Sequence, residues 1–114
     1  MSQRLRNSIA RKRRHASVFA ALGDETRLAL VAQLASGQPR SISQLTKGSR
    51  LTRQAISKHL RVLHRAGMVR SLKTGRENLF ELNPRPIEGL KQYLNFVSQQ
   101  WDEALSRLKS FVET

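Results

Sequence analysis

One segment, residues 51–63, carries the side chains with the clearest chemical use in this sequence. Its apolar residues Ile56, Leu60 and Leu63 follow the spacing of one helix face. Polar and basic side chains follow the same spacing on the opposite face, and the sequence from 26 to 76 contains no Asp or Glu. A helix that is apolar behind and basic in front fits the major groove of DNA. The residues of the polar face are Gln54, Lys58, Arg61 and Arg65.

The leading half of this helix is expected to contact base edges. Arginine pairs with guanine O6 and N7, and glutamine with adenine N6 and N7. Arg61 is expected on a base or a phosphate, whereas the amino-terminal arm supplies further phosphate contacts. Arg27 is expected to be structural and to pair with Asp24 or Glu25. The predicted DNA-binding residues are Arg50, Thr52, Arg53, Gln54, Ser57, Lys58, Arg61, Lys73 and Arg76.

Positive charge is concentrated in the first two thirds of the chain. The 114 residues hold 21 Lys and Arg against 8 Asp and Glu, a formal net charge of +13. Residues 1–80 carry a net charge of +14 and residues 81–114 a net charge of −1. So many like charges repel one another unless a polyanion neutralises them. This favours nucleic acid as a partner over the simpler interpretation that the charge only maintains solubility. The near-neutral tail indicates a separate role.

The sequence lacks the residues that most catalytic, redox and metal sites require. It has no cysteine, which excludes disulfides and thiolate sites and fits a cytoplasmic protein. His59 lies at the edge of the apolar face, where packing or a phosphate contact is favoured over acid–base chemistry. No run of 18 apolar residues predicts a membrane span, and the basic first 14 residues lack the apolar core of a secretory signal. We therefore predict no enzyme, no cofactor, no metal site and no membrane partner.

Capping residues predict where three consecutive helices begin. Asp24 precedes the first of them, and Ser41 with Gln44 forms a capping box at the start of a short helix over 41–46. Thr52 precedes the basic helix, which ends at Gly67. Short helices that follow one another through tight turns predict a helix-turn-helix.

A β-hairpin is predicted directly after the basic helix. Its strands are Met68–Lys73 and Asn78–Leu82, with a turn at 74–76 and basic residues near the tip. The fold is therefore predicted as mainly α with a small β-hairpin, a winged helix-turn-helix whose N- and C-terminal helices form a dimer interface. The predicted parts are a basic arm over 1–14 that is at most partly helical, a DNA-binding domain over 15–83 opened by a short apolar helix at 15–22, and a dimerisation helix over 84–114.

The last helix carries an apolar seam. Proline at position 84 suits a first helical position, and apolar residues from Ile87 to Phe111 alternate spacings of three and four, as in a coiled coil. Trp101 fits either packing between two subunits or one wall of an effector pocket. The predicted dimer-interface residues are Phe19, Leu22, Leu90, Leu94, Val97, Trp101, Leu105 and Leu108.

Three segments together resemble the ArsR/SmtB family of small bacterial winged-helix regulators. The resemblance implies a homodimer that binds an operator in double-stranded DNA and represses transcription, with dimer contacts through the first and last helices. The segments are Ala21-Leu-Gly-Asp-Glu-Thr-Arg-Leu28, Leu51-Thr-Arg-Gln-Ala-Ile-Ser-Lys-His-Leu-Arg-Val-Leu-His-Arg-Ala-Gly-Met-Val69 and Gly75-Arg-Glu-Asn-Leu-Phe-Glu-Leu82.

The sequence departs from the metal-sensing members of that family. Those members carry cysteines in the short helix or His, Asp and Glu ligands on the last helix, whereas here the short helix has neither cysteine nor histidine and the last helix has no histidine. Asp102 and Glu103 are adjacent and point about 100° apart, so they do not clasp one ion unaided. The chain thus resembles a metal-independent branch, for which an unidentified small-molecule effector stays open.

The sequence predicts a dimeric repressor that binds a palindromic operator through helix 52–65 and wing 70–80. The alternative is an architectural or nonspecific nucleic-acid-binding protein, which the basic arm supports. The polar face of the helix argues against contacts to the DNA backbone alone. A small enzyme or a metal sensor is a third class, disfavoured because cysteines and clustered acids are absent from the sequence.

Overall fold

The computed structural model describes residues 2–113, which form five helices and a three-stranded sheet. The predicted mainly α fold with a small wing is confirmed. Met1 and Thr114, the end residues of the predicted arm and tail, lie outside the described residues. The elements are α1 (Gln3–Leu22), α2 (Glu25–Leu34), β1 (Arg40–Ser41), α3 (Ile42–Lys47), α4 (Arg53–Arg65), β2 (Val69–Thr74), β3 (Glu77–Leu82) and α5 (Pro84–Glu113).

Local hydrogen bonds fix the ends of α3 and α4. The Ser41 hydroxyl oxygen accepts from the Gln44 backbone N–H at 3.2 Å, and the Gln44 side-chain oxygen accepts from the Ser41 N–H at 2.9 Å. The Thr52 hydroxyl oxygen accepts from the Ala55 N–H at 3.1 Å. Gly67 follows α4 at φ 77°, a left-handed conformation that suits glycine beyond a helix end. The capping predictions for these two helices are confirmed.

Helix α1 is longer than the sequence pattern predicted. It continues without a break through the expected arm at 1–14 into the expected short helix at 15–22. Ser2 caps it, and the arginines and lysine of its first half are good helix formers. Only its second half contributes buried residues, Val18 and Ala21, so its first half extends from the body as an exposed basic helix.

The predicted hairpin is part of a sheet in the order β1-β3-β2. Strands β2 and β3 pair antiparallel from Val69 opposite Leu82 to Thr74 opposite Glu77, which brings both strands one residue nearer the tip than predicted. Gly75 takes φ 63° at the first central position of the turn, where a type II′ hairpin turn requires a positive φ. Strand β1 was not predicted, because two residues carry no alternation pattern.

The core lies where α1, α2, α3, α4 and the start of α5 meet the base of the wing. Its buried members come from each of these helices and from the start of β2. No polar or charged residue is buried among the described residues, so apolar packing dominates the stability of this fold. The buried residues are Val18, Ala21, Leu30, Leu34, Leu45, Ile56, Leu60, Leu63, Met68, Val69 and Leu90.

Polar contacts connect α2 to α4 beside this core. Asp24 caps α2, as predicted, by accepting from the Arg27 backbone N–H at 3.0 Å, and its carboxylate lies 3.7 Å from Nδ1 of His59 on α4. The Arg27 guanidinium does not pair with an acid as predicted. It donates to the carbonyl oxygens of Ala21 at 2.5 Å and Ala20 at 3.4 Å, and one nitrogen lies 3.2 Å from His59 Nδ1. Arg27 is structural, and it joins the carbonyl end of α1 to α4.

The capping bond shifts the ionisation of Asp24. The hydrogen bond from the Arg27 backbone N–H lowers the pKa of Asp24 more than burial raises it, and the charges of His59 and Arg27 lower it further. Because the folded-state pKa lies below the unfolded one, the carboxylate stabilises the fold above its ordinary pKa. This contribution is lost as the pH falls through the folded-state pKa.

We expect Asp24→Asn to separate this charge effect from capping, because asparagine also caps helices. The variant should be less stable than the parent near neutral pH, and the difference should shrink as the pH falls below about 4. Urea unfolding at a fixed chain concentration measures this. Glu25→Gln removes an exposed charge from the same turn and is the control. A stability difference that does not change with pH would contradict the assignment.

Candidate nucleic-acid interface

The two faces of α4 are separated as the sequence predicted. Ile56, Leu60 and Leu63 are buried, at 0%, 2% and 0% exposure. On the opposite side the long polar side chains are exposed, and Ser57 is half-buried between the two faces. The helix is thus anchored by its apolar face while its polar face stays accessible. The exposed polar residues of that face are Arg53, Gln54, Lys58 and Arg61.

Helix α3 packs against α4 and sets its orientation. Leu45 of α3 is fully buried in the same core as Ile56 and Leu60. The turn between the two helices is held by the Leu51 N–H, which donates to the Ser49 hydroxyl oxygen at 3.0 Å. Two helices joined by a short turn, with the second presenting a basic face, have the geometry of a helix-turn-helix.

Basic side chains flank α4 on both sides in the chain. Arg50 is exposed in the turn before α4, and Lys73 and Arg76 are exposed near the tip of the wing. The base of the wing is attached to the end of α4, since Asn83 Nδ2 donates to the Gly67 carbonyl oxygen at 3.0 Å. The wing and α4 therefore form a continuous unit, with the basic tip at its outer end.

The basic residues predicted to contact DNA have no acidic partner within residues 2–113. The ion pairs in this part of the chain join His59 to Asp24, Arg70 to Glu81 and Lys109 to Glu113. Each cation of the α4 face and of the wing tip is therefore available to an external anion, and phosphate is the anion that a basic surface of this size most commonly meets.

Helix α5 carries a second exposed surface, which is apolar. Beyond its first third α5 leaves the core, and the predicted seam becomes accessible: Leu94 is 49% exposed and Trp101 is 67% exposed. Leu105 and Leu108 are similarly exposed, and Val97 is half-buried. We define the seam as these five residues of α5.

The structure separates three other predicted interface residues from one another. Leu90 is 5% exposed and belongs to the core of its own chain, so we no longer assign it to the dimer interface. Leu22 packs against the same core. Phe19 is 39% exposed and contacts Tyr93 edge to face, with 6.1 Å between ring centroids. Only Phe19 of these three adds apolar surface next to α5.

Arg65 lies apart from the other basic residues of α4. The sequence pattern placed it in line with Lys58 and Arg61, but at the end of the helix it lines a cleft between α1 and α5. Helical spacing predicts which residues share a face and does not predict which neighbouring element lies over its end. We call this space the α1–α5 cleft.

Residues 2–113 contain no cluster of three or more His, Asp or Glu side chains that could hold a metal ion. Asp102 and Glu103, weighed above as ligands, are both exposed on α5. None of the helices in this part of the chain combines the length and the apolar character that a membrane crossing needs.

Comparison with known proteins agrees with this geometry. Residues 22–71 match the family described as a helix-turn-helix domain. The chain is 31% identical over 94 residues to an HTH-type transcriptional regulator of Mycobacterium tuberculosis, covering 82% of this chain and 84% of the relative. It is 35% identical over 80 residues to an uncharacterized HTH-type transcriptional regulator of Bacillus subtilis, covering 65% of this chain and 87% of the relative.

A solved structure extends the similarity to nearly the whole chain. An ArsR-like transcriptional regulator from Rhodococcus sp. RHA1 superposes with a TM-score of 0.77 at 34% identity, covering 92% of this chain and 95% of that one. The family match over residues 22–71 includes all of α4, the helix that carries the basic face. The chain belongs to the ArsR family of winged helix-turn-helix transcriptional regulators, a family of DNA-binding proteins and not of enzymes.

Proposed function

We propose that this protein is a homodimeric repressor that binds a palindromic operator through α4 and the wing. The observation that carries the proposal is the exposed face of α4, whose basic residues have no acidic partner in residues 2–113, on a helix held rigidly by its buried opposite face. Repression is the proposed direction of regulation, because a dimer that occupies two neighbouring major-groove segments excludes other proteins from the same DNA.

The contacts divide by position along the interface. Arg53, Gln54 and Lys58 are assigned to base edges, because long side chains from the first turns of a recognition helix reach the floor of the major groove. Ser57 lies between them and is assigned to the same edges. Arg61 is further along the helix and is assigned to a base or a phosphate.

Phosphate contacts hold the protein in register on the duplex. Arg50, Lys73 and Arg76 are assigned to phosphates because they flank α4 and are exposed. The Thr52 hydroxyl oxygen caps α4, and its O–H is left to donate to a phosphate. The exposed basic residues of the first half of α1 that do not line the α1–α5 cleft are assigned to phosphates outside the groove contacts.

The seam of α5 supports the dimer. Five apolar side chains at helical spacing lie on a helix that extends beyond its own core, and exposed apolar surface of this kind marks an interaction site. We assign it to the same helix of a two-fold mate, with Phe19 of α1 beside it. To read a palindrome, such a dimer would hold its two α4 helices roughly 34 Å apart, one turn of DNA.

This proposal assigns the chain three functional parts. The basic arm over 1–14 includes the outer half of α1, the DNA-binding domain spans 15–83, and the dimerisation segment over 84–114 includes α5. The first third of α5 also closes the core through Leu90, so the last two parts share a boundary region.

Substitution of the base-contacting residues tests the assignment of α4. We expect Arg53→Ala, Gln54→Ala and Lys58→Ala each to weaken binding to a selected operator by about 1–3 kcal/mol. Stability should change by less than about 0.5 kcal/mol because the side chains are exposed. Fluorescence anisotropy at fixed salt concentration measures the affinity.

The matched controls for these variants are Arg107→Ala, Gln99→Ala and Lys91→Ala, which remove the same side chains from exposed positions of α5. Arg107→Ala and Lys91→Ala change the net charge as Arg53→Ala and Lys58→Ala do, and Gln99→Ala, like Gln54→Ala, leaves it unchanged. Equal losses in each variant and its control would refute sequence-specific contacts by this helix, and for the Arg and Lys pairs would show that α4 contributes charge alone.

A charge in the seam tests the dimer. Because Leu94 is 49% exposed within one chain, aspartate there is solvated in a monomer and costly only when a partner covers it. We expect Leu94→Asp to give a helical monomer with lost operator binding, and Gln99→Asp, on another face of α5, to remain a dimer. Sedimentation at about 50 µM chain, where a stable family dimer should be assembled, measures this. A parent chain that sediments as a monomer would contradict the proposal.

A further inference from the structure

The α1–α5 cleft is a cavity of about 950 Å³ that opens to the surface. It is bounded by one face of α1, the first turns of α5 and the end of α4. This volume is at the upper end of the range found for small-molecule sites, so a ligand of one or two rings fits with room for solvent.

Four arginines line the cleft and no acidic residue does. Arg11 and Arg14 come from α1, Arg65 from the end of α4 and Arg85 from the start of α5. None of them belongs to an ion pair within residues 2–113. A guanidinium stays charged at all ordinary pH values and binds carboxylate and phosphate through paired N–H donors. The arginines therefore favour an anionic ligand.

The rest of the lining is largely apolar and aromatic. His15 of α1 stacks on Tyr93 of α5, with 4.8 Å between ring centroids and 28° between ring planes. Val18 and Phe96 also line the cleft. Gly89 also lines the cleft, and a Cβ atom at position 89 would lie 3.8 Å from the His15 ring, an ordinary contact distance, so a side chain longer than alanine would occupy this part of the cleft. These walls favour a flat apolar body on the ligand.

The cleft lies on a different face of α5 from the seam. Gly89, Tyr93 and Phe96 are centred about a third of a turn away from Leu94 and Trp101, at 100° per residue. The face of α5 that lines the cleft is therefore not the face assigned to the dimer seam. The sequence offered Trp101 as one wall of an effector pocket, but Trp101 does not line this cleft. Its aromatic walls are Tyr93 and Phe96.

We propose that the α1–α5 cleft binds an amphipathic organic anion, with its carboxylate or phosphate group on the arginines and its apolar body against Tyr93 and Phe96. The ligand would also contact Arg65 and Gly67 at the end of α4. Its binding is thereby placed to change operator affinity, a consequence that rests on the proposed function. The site itself does not depend on DNA.

Calorimetric titration without DNA tests the site. The probes are 2-naphthoate and 2-naphthyl phosphate, which distinguish a carboxylate from a phosphate site, with the neutral 2-naphthalenemethanol and inorganic phosphate as comparisons. We expect saturable binding of one of the two naphthyl anions, at one per chain. The neutral alcohol lacks the anionic group and inorganic phosphate lacks the apolar body, so each should bind at least about tenfold more weakly. An alcohol that binds as well as the anions, or no saturable binding of either anion, would overturn the proposal.

Variants locate the binding. Arg14→Gln and Arg85→Gln should each lower the affinity for the probe by about tenfold, the effect of one lost charge-assisted contact. Gly89→Leu should block the cleft without a change of charge. Arg13→Gln is the matched control, because Arg13 is exposed next to Arg14 and does not line the cleft. Equal losses in Arg13→Gln and Arg14→Gln would show nonspecific attraction and overturn the assignment.

Operator binding with and without the probe tests the regulatory consequence. We expect the probe to shift the operator affinity of the parent and not that of Gly89→Leu, each compared with its own operator affinity without probe. A parent chain that binds the probe but shows no shift would overturn the regulatory part. A parent chain that binds no operator at all would overturn the proposed function and leave the calorimetric result to decide the site.

Discussion

Burial of one face of α4 is the constraint on which the rest of this structure depends. Burial removes Ile56, Leu60 and Leu63 almost completely from water, so the helix has a single rotational position in which all three side chains are buried. That position turns Arg53, Gln54 and Lys58 outward. The polar contacts of Asp24, Arg27 and His59 connect the same helix to α1 and α2 beside the core. The orientation of the basic face is thus a result of apolar packing, and the exposed charged groups remain solvated outside the core.

The same separation explains why exposed charge is tolerated. No charged residue is buried among those described, and the arginines and lysine of the exposed α4 face and the basic residues at the wing tip have no acidic partner within residues 2–113. Their mutual repulsion lowers stability in the absence of DNA and is relieved by a polyanion. The α1–α5 cleft combines the same two features on a smaller scale, since four arginines line it together with apolar and aromatic side chains.

The features that could be predicted from the sequence are those that local interactions determine. The caps at Asp24, Ser41 and Thr52 need only residues three positions away, and the face of α4 follows from helical periodicity. Contacts between distant segments could not be predicted in this way. Leu90 and Leu94 lie on one stripe, and only the position of α5 over the core buries the first and exposes the second. The guanidinium contacts of Arg27, the strand β1 and the α1–α5 cleft depend on the same tertiary arrangement.

Selection of bound sites from random duplex DNA tests the central claim most directly, because it reports sequence preference and dimer geometry together. Two α4 helices related by a two-fold axis predict an inverted repeat whose half-sites are centred about 10–11 base pairs apart. Enrichment of a single half-site would contradict the two-fold arrangement. Strong binding with no enriched sequence would contradict base contacts by α4 and identify a nonspecific nucleic-acid-binding protein.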